Sequence, residues 1–186
     1  MMNPDLAVAA AIVLQLFALL STIDGLYLHL WRLRLHRRPA SYREHLWHTA
    51  RAVLFAPVVL ILFAMPSAGA LLWLGVGLAV ADQIAGVSDA LSERDSRASL
   101  GGLGRGEYVL HILLVAVHAT ALTLVLAARP VAAWSWSAPS SLGAWPASVP
   151  MLVLGPLIGG VAVAGLHVAL AAIYAPAVGG RRRKAA

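Results

Sequence analysis

Hydrophobic positions in this chain gather into five long runs, at residues 6–31, 46–65, 68–91, 108–128 and 151–174, with polar turns between them. Each run is close to the ~20 residues with which an α-helix crosses a ~30 Å hydrocarbon core. A strand needs about half that length, so the runs predict helices. The second run is short and contains Pro57. Met65-Pro66-Ser67 makes a tight link from the second run to the third. Pro156 stands inside the fifth, where neighbouring helices can accommodate it. The expected fold is an all-α integral membrane protein with one five-helix bundle over residues 1–180. A basic tail follows at residues 181–186.

The polar positions inside these runs carry a second pattern. Asp82, Asp89 and Glu93 are spaced by seven and four, which places them on one helix face. Glu107, His111 and His118 are spaced by four and seven, again on one face. If the third and fourth helices are antiparallel neighbours around one turn, Asp82 lies level with His118, Asp89 with His111 and Glu93 with Glu107. Asp24 and His29 fall late in the first run. His45 and His48 stand at the start of the second, and His167 lies in the second half of the fifth. All five helices can therefore offer a nitrogen or oxygen donor at similar depth, and the other half of the bundle is nearly free of ionisable groups.

Composition narrows the class. The 186 residues are 60% hydrophobic and 12% charged, with a mean hydropathy of +0.80, too apolar for a soluble domain of this size. Without cysteine there is no disulfide, thiolate zinc site or iron–sulfur cluster. The formal charge of +6 does not imply nucleic acid, because the basic residues follow membrane topology. Of 14 basic residues, 13 lie in or beside the first connection, in the third connection or in the tail, and Arg129 stands alone on the other side. The positive-inside rule makes the first group cytoplasmic, with the N-terminus outside and the C-terminus inside. Trp31 and Trp47 then fall at the inner interface, and Trp73, Trp134, Trp136 and Trp145 near the outer one. Residues 1–5 carry no positive charge, so the first helix is expected to be retained rather than cleaved as a signal peptide. The expected location is the inner (plasma) membrane of a bacterium, with the polar site on the cytoplasmic side.

Ionisable groups in a bilayer cost several kcal/mol each unless paired or ligated. Imidazole with carboxylate suits iron, zinc or manganese. The donors exceed what one ion needs, so the expectation is two divalent ions, iron or zinc. His45, His48, Asp89, His111 and His118 form the expected inner set. Asp24, His29, Asp82 and Glu107 are further ligands, and His167 and Glu93 stand behind them. A diiron centre would oxidise an alkyl chain with electrons from an external donor. A dizinc centre would activate water for hydrolysis.

In its chemistry this donor set resembles the membrane histidine-box oxygenases, the desaturases and alkyl or fatty-acid hydroxylases. Their HxxxH and HxxHH boxes are absent. The close histidine pair here is His45-Leu46-Trp47-His48, and the ExxH motif of soluble diiron bundles is also missing. The resemblance therefore transfers no residue roles. A metal-ion or proton transporter ranks second, disfavoured because its polar residues would run through the whole membrane. A b-type haem protein ranks third, because buried carboxylates suit a non-haem metal.

Each feature also has a plainer reading. His29 and His36 fit helix ends at the membrane surface. Glu93, Arg94 and Asp95 fit a solvated cap. His167 fits a hydrogen bond between helices, and Asp82 with His118 fits a structural pair. The glycine-rich 101–106 connection lacks the phosphate-loop pattern, and a flexible link is expected, with Arg97 and Arg105 free to meet lipid phosphates. Gly155 and Gly159 form a small-residue motif that lets helices approach, within the chain or between protomers. The tail, Arg181–Lys184 by number, reads as a topology anchor that can touch anionic lipid.

Overall fold

A computed structural model describes the backbone of residues 2–184 and the side chains of residues 2–175. The basic run Arg181, Arg182, Arg183 and Lys184 lies outside the described side chains. The chain is 80% helical, with no strand among the described residues. Five helical stretches are long and apolar enough to cross a membrane: Pro4–Arg37, Tyr42–Ala64, Gly69–Ala98, Arg105–Ala127 and Ser148–Ala175.

Helix α1 covers Pro4–Thr22. Asn3 caps it, its side-chain oxygen accepting from the Leu6 N–H at 3.1 Å, and Pro4 opens the first turn, where no N–H is needed. The chain then widens into a π-helix over Ile23–Arg32 and turns through a 3₁₀ segment, Leu35–Arg37. Helix α2, Tyr42–Val58, also passes into a π-helix, Val59–Ala64, directly after Pro57. Pro57 has no N–H for the α-helical ladder and crowds the preceding turn, so a change of winding near it has a local cause. Helices α3 (Gly69–Ala98), α4 (Arg105–Ala127) and α5 (Ser148–Lys184) complete the bundle.

Charged helix ends run further than the apolar runs suggest. The third helix extends beyond residue 91 to Ala98, and the second begins at Tyr42 rather than 46. The reason is that Glu44, Glu93, Ser96 and Arg97 are buried with partners inside the protein, so the helix continues through them.

Helix α1 packs between α4 and α5, and α2 packs between α5 and α3. The consecutive helices α3 and α4 stand apart, and polar side chains bridge them. One half of the interior is apolar: Ala7, Ala10 and Leu14 meet Val59, Leu62, Leu72 and Val125. The other half, near the 33–41 and 99–104 connections, holds the ionisable groups.

The apolar end is closed by the 128–150 connection. Ala68 N–H donates to Ser140 O at 3.0 Å, and Leu142 N–H to Pro66 O at 3.2 Å. Arg129 is buried there. It donates to the carbonyls of Leu62 (2.7 Å), Ser67 (3.2 Å) and Val125, and lies 5.3 Å from the Trp145 ring centre. Burial pushes its guanidinium down to about 10, so it stays charged at neutral pH. Trp145 is therefore a buried partner of Arg129, while Trp31 and Trp136 are exposed.

Candidate metal centre

Asp24 and His29 are five residues apart. On an α-helix that spacing turns them about 140° from each other, at about 100° per residue. Both lie in the π-helical segment, whose i→i+5 hydrogen bonds bring such residues nearly into line. His29 Nε2 accordingly lies 3.6 Å from Asp24 Oδ1. His29 is 1% exposed, so it is not a surface histidine.

Helix α2 brings Glu44 and His48, one turn apart, to the same place. His48 Nε2 lies 3.4 Å from Asp89 Oδ2 on α3 and 4.0 Å from Asp24 Oδ2. Its ring centre is 4.0 Å from that of His29. From α4, His111 Nε2 reaches Asp24 Oδ1 at 3.1 Å, and its Nδ1 lies 2.9 Å from Glu93 Oε1. That second approach is close but poorly directed, so Nδ1 counts as lacking a hydrogen bond. Two overlapping donor sets result: Asp24, His29 and His48, and Glu44, His48 and Asp89. Within each, one donor atom per residue lies within 4.8 Å of the others. His48 belongs to both.

Arg97 fastens the edge of this cluster. It is 1% exposed, where a flexible lipid-facing loop was expected. Its Nη1 and Nη2 donate to the two oxygens of Glu44 at 2.7 and 2.9 Å, and its Nε donates to Glu107 Oε1 at 2.7 Å. Nη2 also lies 3.1 Å from His29 Nε2. A planar fork of donors suits two carboxylates in a way a lysine would not. Glu93 is buried as well, so the solvated-cap reading fails for it and holds for the exposed Arg94 and Asp95.

The expected register between α3 and α4 is met in one place and broken in two. Asp82 Oδ2 lies 3.4 Å from His118 Nδ1, as their spacing predicts. His111, however, meets Glu93 rather than Asp89, and Glu107 meets Arg97 rather than Glu93. The pairing slips by one helical turn because α3 and α4 do not pack directly and Asp24 of the first span takes His111 Nε2. Asp82 and His118 form a separate pair beside Gln83, whose Nε2 is 3.0 Å from His118 Nδ1, with Phe17 stacked on the imidazole at 4.2 Å. Arg51 joins the two levels, 3.6 Å from Asp82 and 3.8 Å from Asp89.

His45 does not join the carboxylates. Its ring lies 5.3 Å from His167 and 5.8 Å from His36, in an aromatic group that Tyr174 joins at 4.9 Å from His36 and that borders the donor sets one turn along the same face of α2. His36 is 5% exposed and so is not a solvated loop residue. His167 also stands 6.4 Å from His48.

Sequence reasoning missed Glu44, Arg51 and Arg97. A signal for Glu44 existed. Glu44 and His48 repeat the i,i+4 spacing of Glu107 and His111, and both pairs point into the cluster. Arg51 and Arg97 carried no such signal, because an arginine near a span end reads as a topology residue.

Charge defines what the cluster can do. Asp24, Glu44, Asp82, Asp89, Glu93 and Glu107 face Arg51 and Arg97, a formal excess of four negative charges with neutral imidazoles. Buried charges of one sign are unfavourable without counter-charge. His29 Nδ1, His48 Nε2 and Asp89 Oδ1 are buried without hydrogen bonds. The two overlapping sets of nitrogen and oxygen donors could each hold a metal ion.

A cavity of about 370 Å³ borders the cluster. Asp24, His48, Arg51 and Asp82 form its polar end, and Phe17, Phe55, Leu114 and Gly159 belong to its apolar walls.

No family model, curated protein or solved structure matches the chain. The fold and the site together define a class: an all-helical protein with five membrane-length helices around a buried carboxylate–imidazole cluster.

Proposed function

We propose that the chain is a metal-dependent integral membrane enzyme with a dinuclear centre, acting on a lipid or other hydrophobic substrate. Asp24, His29, His48 and Asp89 are the proposed core ligands, with Glu44, Glu107, Glu93 and His111 holding or completing them. Asp82, paired with His118, stands at the substrate side. The centre lies in the cytoplasmic leaflet, with the N-terminus outside, as the arginine distribution predicts.

The observation that carries the reading is the junction of the overlapping donor sets with an apolar cavity: Asp24 and His48 belong to both. A purely structural network would not need an apolar chamber against its donors. The confinement of the polar groups to one half of the bundle argues against a transport path. Non-haem diiron oxidation ranks first, because the hydrophobic cavity presents aliphatic substrate to a nitrogen and oxygen donor set. Bound iron would supply redox chemistry there, with an external electron donor.

Elemental analysis and an optical spectrum of purified, chelator-washed protein test this. About two equivalents of iron without a haem Soret band is the expected result. Two equivalents of zinc would replace oxidation by hydrolysis. A Soret band, or no retained metal under conditions that preserve the fold, would overturn the proposal.

A further inference from the structure

The cavity beside the cluster has a shape and charge that select its occupant. Its volume, about 370 Å³, is at the small end of ligand pockets, room for one chain rather than a two-chain lipid. Helix α5 leaves space along one wall: a Cβ added at Gly155 or Gly159 would meet nothing within 4 Å. Gly160 differs, because Phe55 fills its position, with ring carbon Cδ1 2.6 Å from where a Cβ would stand. Gly155 and Gly159 are exposed, as are Leu19 and Thr22 across the cavity on α1. The cavity thus opens sideways between α1 and α5, on faces that a bilayer would cover with hydrocarbon.

The polar end holds one guanidinium and the imidazoles of His48 and His167. Arg51 is the guanidinium lining it among the described residues, and it already stands between Asp82 and Asp89 at 3.6 and 3.8 Å. Asp24 adds a further carboxylate. With His48 and His167 neutral, two divalent ions would only balance the carboxylates already there, so an entering carboxylate or phosphate would remain an uncompensated buried anion.

Resting on the reading of the cluster as a metal enzyme, we propose that the substrate is a single-chain aliphatic molecule with an uncharged buried end, admitted from the bilayer between α1 and α5. Gly155 and Gly159 set how much chain the cavity accepts.

The test uses the full-length protein in detergent, with hexadecanol and hexadecanoate titrated separately at pH 8 and binding followed by native mass spectrometry. Metal content is measured on the same samples. Hexadecanol should bind saturably at one per chain, and ionised hexadecanoate about tenfold or more weaker. Gly155→Leu and Gly159→Leu should each weaken hexadecanol binding by about tenfold with metal content unchanged. Gly165→Leu, outside the cavity lining and also in open space, should bind as the parent does. Equal or tighter binding of hexadecanoate would overturn the proposal, whether or not the glycine variants fold. So would parent-like binding by both cavity variants. Loss of metal from the parent protein would instead strike the reading of the cluster, while the binding titration still reports on the cavity.

Discussion

Replacing Arg97 by methionine perturbs the most heavily bonded charge among the described residues. Arg97 is 1% exposed, and its fork holds Glu44 at 2.7 and 2.9 Å and Glu107 at 2.7 Å. Methionine has similar bulk but no donors, so Glu44, fully buried, loses its neutralising partner. Removing one partner of a buried ion pair costs about 3–5 kcal/mol, because the other charge stays buried alone. The Glu107 side chain is 11% exposed, so water relieves part of its loss and the lower half of that range is the better expectation. For a chain of this size the loss lowers a thermal midpoint by about 10 °C. The assay is thermal unfolding of chelator-treated protein in detergent, which keeps metal binding out of the comparison. Arg97→Met combined with Glu44→Gln removes the stranded charge and should recover more than half of the drop. A drop below about 3 °C, against the 2–4 °C per kcal/mol expected at this size, would refute the reasoning. A double variant no better than Arg97→Met would refute it too.

Three further outcomes follow from the geometry. His48→Ala removes the residue common to both donor sets and should cut bound metal from about two equivalents to below one, while His45→Ala should leave it unchanged. Elemental analysis reads both, and equal losses would show that His45 serves the metal as His48 does. Arg129→Lys loses the fork that reaches the Leu62, Ser67 and Val125 carbonyls and should destabilise by about 2 kcal/mol, measured by thermal unfolding, with metal content retained. Gly69→Ala should destabilise by more than about 1 kcal/mol, because φ is +58° there and a Cβ would stand 2.2 Å from Ala138 O. An unchanged midpoint for Gly69→Ala would mean the turn between the second and third spans can relax.

The five membrane-length helices were legible in the sequence because continuous apolarity is a property of each segment alone. So was the stripe of Asp82, Asp89 and Glu93, since spacings of seven and four mark one face of any α-helix. The pairing of Asp82 with His118 also followed from spacing. Other parts of the cluster depended on neighbours. Asp24 and His29 converge because the chain widens into a π-helix there, and their five-residue spacing argues against convergence on an α-helix. Glu44 and Arg97 look like solvated helix ends until each is seen to neutralise the other across two helices. His45 and His48 look alike in sequence, yet α2 turns one toward His36 and His167 and the other toward Asp24 and Asp89. The sequence by itself determined which segments are helical and which faces are polar, because both are read along one chain. Only the tertiary structure decided which polar groups meet, because that depends on helix rotation, winding and register, which are settled between helices.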